Sequence, residues 1–456
     1  MKVYSSDSSL IQGQKIKKGN QFIQVIKPCK LNEGIISLSD MNLEDPLEGD
    51  LTWFIPASGS GSRMFQFLHD YLNDLIVSRE LEIFISNLNR FPFFDLLPEE
   101  LKSCSIHNQD QLHGLIQFLL FENGLNFGSL PKGLIPFHRT KTGYSTSFQD
   151  QIEQGQLIFT GHTQFHFTIQ ENYQSQIEQS MNESENVKDN SISFSYQSPE
   201  TNSYVFDSQL NLMFENDSSP LKRPSGHGAL IHNLNEVQSD YILIKNIDNV
   251  QHLSKSKLTL NYWNDLIKLT QVIKNQLSEL CKNPKLEVLL ELNQKYHFTS
   301  KENLEMLVGD EQIQTFINRP IRVCGMVKNS GQPGGGPFWV EKNGVISKQI
   351  VEKSQIAPTL SQQQIVEQSS HFNPVMIVAS VKDFQGVKFN LIDFKDDESY
   401  FIVQKRHEGR DVQFIENPGL WNGSMAHWIS VFVEIPAETF SPVKTVLDLL
   451  DESHQA

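Results

Sequence analysis

Leu51-Thr52-Trp53-Phe54-Ile55-Pro56-Ala57-Ser58-Gly59-Ser60-Gly61-Ser62-Arg63-Met64 is the stretch from which the rest of the chain can be read. Leu51 to Ile55 are apolar or β-favouring, which predicts a short buried strand. Pro56 stops the ladder, and Ser58 to Ser62 follow as a loop of small residues. From Met64 the period changes: Met64, Phe67, Leu68, Tyr71, Leu72, Leu75 and Ile76 recur at helical spacing, predicting an amphipathic helix. A strand–loop–helix turn aims backbone N–H groups at one point, where unpaired donors and the helix dipole favour an anion. Arg63 adds a permanent cation. The loop therefore reads as a phosphate-binding turn, weighed against a plain flexible connection.

Two familiar phosphate loops are excluded. Met64 stands where a dinucleotide-binding GxGxxG needs its third glycine, and no Gly-Lys-Ser/Thr run of P-loop type occurs. The 456 residues suffice for one large α/β domain or two smaller ones. Hydrophobic residues at 38% and charged residues at 20% fit a globular chain rather than a disordered one. A formal net charge of −16 argues against nucleic-acid or anionic-membrane partners, which call for a basic face. If the ligand is a polyphosphate, local lysine and arginine and a divalent cation must work against that field. Cys29, Cys104, Cys281 and Cys324 are widely spaced without a CxxC, so neither a zinc site nor a disulfide framework is indicated. The N-terminal residues have no apolar signal-type run and no segment reaches membrane-span length. A cytoplasmic location is the expectation.

Residues 1–50 are mixed and read as an N-terminal extension. Residues 51–435 read as the α/β body, with a helical insertion at about 65–128, and 436–456 as a C-terminal segment folding back on the active site. Strands are expected at Leu157-Ile158-Phe159, Gln164 to Ile169, Tyr241 to Ile247, Ile321 to Val327, Val345 to Val351, Val375 to Val381 and Trp428 to Ile435. Residues 192–214 alternate as a β region; Phe148 to Glu153, Glu171 to Glu185 and 258–316 read as helical. Strands separated by helices, with polar motifs at strand ends, indicate an α/β fold with a mixed, mostly parallel sheet flanked by helices. Such sheets bind ligands beyond the carboxyl ends of their strands.

Four further motifs carry chemistry. Asp248 follows the strand Tyr241 to Ile247, where one carboxylate can share Mg²⁺ with phosphates and water; an Asx turn is the plainer reading. Lys132, in Pro131-Lys132-Gly133, is rigid on one side and permissive on the other, against the plainer reading of a solvated lysine. Pro224-Ser225-Gly226-His227-Gly228 is a tight loop whose glycines let a flat ring approach the backbone, or else a turn with an exposed histidine. Lys444, after Pro442, is expected in the first turn of a helix, where the dipole opposes a cation and an anionic partner is wanted. A surface lysine is the alternative. Gly334-Gly335-Gly336 reads as a second anion nest or a bend.

In their order these motifs resemble the UDP-sugar pyrophosphorylases, the UTP-dependent sugar-1-phosphate uridylyltransferases. Ala57 to Met64 is similar to their Gly-rich nucleotide loop, and Pro131-Lys132-Gly133 to the Pro-Lys that closes it. Pro224 to Gly228 is similar to their Pro-Gly-His-Gly base loop. Asn246-Ile247-Asp248-Asn249 is similar to the motif whose aspartate binds metal. Gln349 to Ile356, with Glu352, resembles a stretch near the sugar. Phe440 to Leu450 resembles a motif whose lysine meets phosphate. The chain departs from the pattern at Ser58, usually Gly, at Ser62, usually Thr, and in the long gap from Arg63 to Lys132. As a whole it also resembles a bacterial domain-of-unknown-function family marked by Arg322-Val323-Cys324-Gly325-Met326-Val327-Lys328-Asn329 and by Pro333 to Phe338.

The resemblance implies a nucleotidyltransferase-like (GT-A type) fold, and an enzyme joining a nucleoside triphosphate, by expectation UTP, to a sugar-1-phosphate with release of pyrophosphate. It implies Arg63, Lys132 and Lys444 as catalytic residues. The binding set is Ser58, Gly59, Ser60, Gly61, Ser62, Gly226, His227, Gly228, Glu352 and Asn422; Asp248 is the ligand of Mg²⁺, the one cofactor expected. Two other readings stay open: a glycosyltransferase of related fold, and a nucleotide or nucleotide-sugar binder without turnover.

Overall fold

A computed structural model describes residues 7–41, 43, 47–158, 163–182, 191–329, 331 and 334–456. They form a mixed α/β fold with a largely parallel central sheet flanked by helices and with smaller antiparallel sheets. The chain divides into two compact units, the first from residues 1–50, 197–244 and 265–436, the second from 51–196, 245–264 and 437–456.

The second unit is built on the opening stretch. Leu51–Pro56 is a strand with its first five residues buried, as suits a parallel strand covered on both faces. It pairs in parallel with Thr163–Ile169, which pairs in parallel with Ser191–Tyr196. Trp53 meets Trp263 edge-on at 4.9 Å, and Phe54 stacks on His166 at 5.7 Å. The predicted helix from Met64 begins as a 3-10 turn, Ser62–Phe65, and becomes α-helical only over Gln66–Asp74. Leu75 ends it in the left-handed conformation (φ 55°), so Leu75 and Ile76 lie outside the helix. Helices Arg79–Ser86, Glu99–Lys102 and Gln109–Leu120 complete the expected helical insertion. Leu157 is the C-cap of helix Ser147–Gln156 rather than a strand residue, and Phe159 lies outside the described residues. Between Glu171 and Glu185 the structure has a 3-10 turn, Glu171–Tyr173, and a helix, Gln174–Asn182; the last positions again lie outside the described residues.

The insertion encloses a core of its own, in which Phe84, Phe91 and Phe93 pack ring against ring. Val443, Val446 and Leu449 of the last segment are buried in that same core. The segment is pinned further by polar bonds. Arg90 Nη2 donates to Leu450 O at 2.9 Å, and buried His454 Nδ1 lies 2.9 Å from His138 Nε2, whose Nδ1 lies 2.7 Å from Asp150 Oδ2.

In the first unit the strands run in the order Lys30–Leu31, Gly34–Ile36, Ile429–Glu434, Ile321–Lys328, Met376–Ser380 and Tyr241–Lys245. The first four pair in parallel and Met376–Ser380 is antiparallel to Ile321–Lys328. Val345–Val351, expected among them, instead belongs to a separate antiparallel sheet with Gly336–Lys342 and Gln24–Pro28. The reason is local: Lys342 pairs with Val345 across Asn343-Gly344, both at positive φ (53° and 79°), the two-residue turn that matches strand twist. Of the Gly334 to Gly336 run, Gly336 opens its strand and Gly335 O accepts from the Asn373 amide at 2.8 Å, which makes the run part of a sheet edge. Pro333 lies outside the described residues. No described helix is long and apolar enough to cross a membrane.

Because Leu449 is fully buried in the core of the insertion, Leu449→Ala is expected to destabilise the protein by about 2–5 kcal/mol. A denaturant titration monitored by circular dichroism measures this; a loss below about 0.5 kcal/mol, typical of surface sites, would contradict the packing.

Candidate active site

Within the second unit the loop after Leu51–Pro56 is held by its own neighbours. Ala57 N donates to Thr168 O (2.8 Å), and Gln170 Nε2 to Ser58 O (2.6 Å). Gly61 N donates to Leu130 O (2.9 Å) and Lys132 N to Gly59 O (3.0 Å), so Leu130 to Lys132 lie directly against the loop. Gly61 has an ordinary φ of −76°; it is small because an added Cβ would sit 2.4 Å from Ile135 Cδ1. Its requirement is packing rather than an unusual backbone. Gly133 is similar, since a Cβ there would come within 2.6 Å of Phe148. Pro131, at φ −55°, and this close-packed glycine fix the main chain on both sides of Lys132.

Strand Tyr241–Lys245 ends in the turn Asn246 to Asn249, closed by the Asn249 amide on Asn246 O (3.2 Å). Ile247 O accepts from the Ser147 hydroxyl and from Gln151 Nε2 (3.3 Å). The last segment docks here: Val443 N donates to Asp248 O (2.9 Å), and Ser441 N to Asn249 Oδ1 (3.0 Å). Asp248 Oδ2 then accepts two ammonium groups, Lys132 Nζ at 3.0 Å and Lys444 Nζ at 2.9 Å. Lys132 Nζ also donates to Val443 O at 2.8 Å. Burial alone would raise the Asp248 pKa; the charges of Lys132 and Lys444 outweigh it and hold the carboxyl below its usual range.

Lys444 therefore has an anionic partner, and it is Asp248. It does not lie in a helical turn. Thr445 caps the 3-10 helix Val446–Leu450 in a capping box with Asp448, and Lys444 N donates to Asp448 Oδ2 (2.6 Å) just ahead of it. The ammonium is reached by a bend before the helix, so the dipole argument does not apply to it.

Asp248 Oδ1 is buried without a hydrogen-bond partner among the described residues. That atom suits a hard divalent cation, which takes few protein carboxylates and completes its shell with phosphate and water. No cluster of three His, Cys, Asp or Glu capable of holding a metal occurs among the described residues. Asp248 would thus be the protein's carboxylate ligand, with substrate oxygens beside it.

In the first unit a second cluster forms. Gly226 takes φ 77°, a left-handed value that favours glycine, and Gly228 packs where a Cβ would lie 2.1 Å from Pro418 O. Between them His227 opens the 3-10 turn His227–Leu230. Its Nδ1 accepts the Leu420 amide (3.1 Å), its ring lies 4.5 Å from that of Trp421, and its Nε2 is 3.8 Å from Glu352 Oε1. Asn422 Nδ2 donates to the same Glu352 oxygen at 2.8 Å, while Asn422 Oδ1 is buried and unpartnered among the described residues. His227 and Asn422 together hold the Glu352 carboxyl below its usual pKa against the opposing effect of burial.

The sequence candidates thus sort into two groups. Ser58 to Ser62, Lys132, Asp248 and Lys444 belong to the second unit; Gly226, His227, Gly228, Glu352 and Asn422 belong to the first. Arg63 is exposed and has no ion-pair partner among the described residues. The Gly61 amide, expected to face phosphate, is already bonded to Leu130 O, and the Ser62 amide to Ser60 Oγ (3.2 Å). Sequence reasoning missed Trp421 as a partner of His227. It also left Arg322 as a family mark, although a charge inside the apolar run Ile321 to Val327 is a signal of its own.

The chain belongs to the family described as Domain of unknown function (DUF4301), whose model matches residues 3–455. No curated protein matches it. Among solved structures it is similar to a UDP-glucose phosphorylase from Trypanosoma brucei, with 13% identity, TM-score 0.49, and 97% of this chain and 73% of that one covered. A mutant UDP-glucose pyrophosphorylase from Leishmania major gives 13%, 0.48, 97% and 74%. A UDP-N-acetylglucosamine pyrophosphorylase from Trypanosoma brucei gives 12%, 0.46, 88% and 64%. At this identity and similarity the function has to be argued from the residues of this chain.

The lowered Asp248 pKa sets a pH dependence. A carboxylate whose folded value is depressed contributes stability that is fully present above its unfolded value, ~3.9, and is lost as pH falls through the folded value. Asp248→Asn, which leaves Lys132 short of a counter-ion, is expected to cost about 3 kcal/mol at neutral pH. The difference from wild type should shrink below about pH 4. Urea unfolding of both proteins across that range is the measurement, and a pH-independent difference would contradict the ion-pair assignment.

Proposed function

We propose that the chain is a sugar-1-phosphate nucleotidyltransferase that uses a nucleoside triphosphate, UTP first, and Mg²⁺. One observation carries this reading. A buried carboxylate, Asp248, is neutralised on one oxygen by two lysines from distant parts of the chain, while its other oxygen is unpartnered among the described residues. Such a charge set suits a reaction in which two polyanions must meet.

An oxygen of the sugar phosphate attacks the α-phosphorus, the bond to the β-phosphate bridging oxygen breaks, and pyrophosphate leaves with that electron pair. No general base is needed, because the attacking phosphate is already ionised. When bound at Asp248, Mg²⁺ supplies charge neutralisation to the phosphates. Lys132, held in place by Val443 O, offers a fixed cation to the developing charge. Lys444, half exposed and bonded through its ammonium to Asp248, is the more mobile cation and takes the sugar phosphate. Arg63 serves the outer phosphates. In the first unit, the Trp421–His227 ring pair suits a planar group, and Glu352 and Asn422 Oδ1 suit hydroxyl or N–H donors. Removing one such charged contact commonly costs about two to three powers of ten in rate. A cytoplasmic supply of nucleotide and Mg²⁺ accords with this chemistry.

A second reading, nucleotide binding without turnover, is favoured by the loop amides: two of them, Gly61 and Ser62, are bonded within the protein. Pyrophosphate release from UTP and Mg²⁺ with a panel of sugar-1-phosphates separates the two. Release is expected, and its absence alongside tight UTP binding would favour the second reading.

Lys444 and a metal ion compete for the same carboxylate. Without nucleotide, Lys444→Met is therefore expected to bind Mn²⁺ about tenfold more tightly than wild type, although turnover collapses. Calorimetry reads this directly; equal affinities would mean that metal does not enter at Asp248.

A further inference from the structure

We infer that Arg322 is a positioning residue: it grips the main chain at Trp421 and so sets the Trp421 ring against His227 and the Asn422 side chain against Glu352. The inference rests on reading that cluster as a ligand site.

Arg322 lies in strand Ile321–Lys328, in an otherwise apolar run, and is fully buried. A buried guanidinium is ordinarily paired with a carboxylate, because burying a lone charge is costly. Among the described residues Arg322 has none in ion-pair range. Its Nη1 donates to Trp421 O at 2.6 Å and its Nε to Ser430 Oγ at 2.8 Å; Nη2 is buried without a partner among the described residues. Burial pushes its pKa down accordingly. For strand packing alone an aliphatic side chain of similar volume would serve better. What the charge adds is direction, a short charge-assisted bond to one carbonyl.

That carbonyl sits at a point of leverage. Trp421 precedes Asn422, which caps the 3-10 turn Gly423–Met425 and is held by several neighbours. Those neighbours are visible: Asn422 N donates to Gly419 O (2.9 Å), its Nδ2 to Glu352, and Leu420 N to His227 Nδ1. Held so, Asn422 buries Oδ1 with no partner among the described residues. An acceptor kept in that state awaits a donor, and sugar or ribose hydroxyls are of the right class.

The test uses Arg322→Met, which keeps the volume, and Arg322→Lys, which keeps the charge but cannot span Trp421 O and Ser430 Oγ together. Hydrogen exchange is followed over residues 417–428 and, as internal reference, over strand Met376–Ser380. Affinity for UTP and for glucose-1-phosphate is measured with Mg²⁺ present. For both variants a melting transition near that of wild type is expected, with exchange over 417–428 faster by about tenfold or more and affinity for at least one probe lower by a similar factor. Exchange raised equally in both segments, or wild-type protection over 417–428, overturns the inference and leaves Arg322 a packing residue. If Arg322→Met does not fold, Arg322→Lys decides by the same two segments. If the wild type itself binds neither probe, the proposed activity fails, while the exchange comparison still decides whether Arg322 holds the loop.

Discussion

The second unit turns on one buried carboxylate. Asp248 draws together three distant pieces of chain: the turn after Tyr241–Lys245, the Pro131-Lys132-Gly133 step, and the last segment with Lys444. Taking Asp248 and Lys132 largely out of water is expensive, and the attraction repays it only with good geometry. Here the geometry is fixed from outside the charges. Pro131 and Gly133 set the main chain at Lys132, the Val443–Asp248 backbone bond sets the last segment, and Val443, Val446 and Leu449 bury beneath it. Packing pays for the placement of charge. Two ammonium groups thereby meet on one carboxylate in a protein whose formal charge is −16.

Much of this could be read in the sequence, and the reasons are physical. The strand Leu51–Pro56 announces itself because five consecutive strand-formers are followed by proline and small residues. The helical insertion is visible because its apolar spacing is strong. Asp248 was legible as a carboxylate at a strand end. Its ion pairs with Lys132 and Lys444, at separations of 116 and 196 residues, were not, because no local rule encodes a contact of that length. Val345–Val351 reads as a strand, but its own residues do not say which sheet takes it; the Asn343-Gly344 turn decides that by making it a hairpin with Gly336–Lys342. Gly61 reads as one small residue of a loop, and what it makes room for is Ile135. Sequence shows that a position must be small, and only packing shows what it must be small for.

The two clusters differ in their physics. In the second unit full charges dominate, with Lys132 and Lys444 both in contact with Asp248. Such a set is suited to anions and sensitive to salt and to metal. In the first unit the contacts are directional and mostly neutral: a ring pair, an amide oxygen, and a carboxylate held by an asparagine. Sets of that kind discriminate by shape and by hydrogen-bond pattern rather than by net charge, since a missing donor leaves a buried acceptor unpaired. Full charge and directional bonding are thus carried by separate residues in separate units.

The same contrast explains where each unit keeps its unsatisfied atoms. Among the described residues Asp248 Oδ1 lacks a partner although two lysines hold its sister oxygen, and Asn422 Oδ1 lacks one although its Nδ2 is bonded to Glu352. Most buried polar atoms in native proteins are paired, so an orphan signals strain or a missing ligand. Their sister atoms, Asp248 Oδ2 and Asn422 Nδ2, are bonded at 2.8–3.0 Å. Each side chain is held firmly by one end with the other left open. A carboxylate so held is prepared for a cation, and an amide oxygen so held is prepared for a donor. The two open atoms therefore differ in chemistry, the first an anionic oxygen suited to a cation and the second a neutral acceptor suited to a hydroxyl or N–H donor.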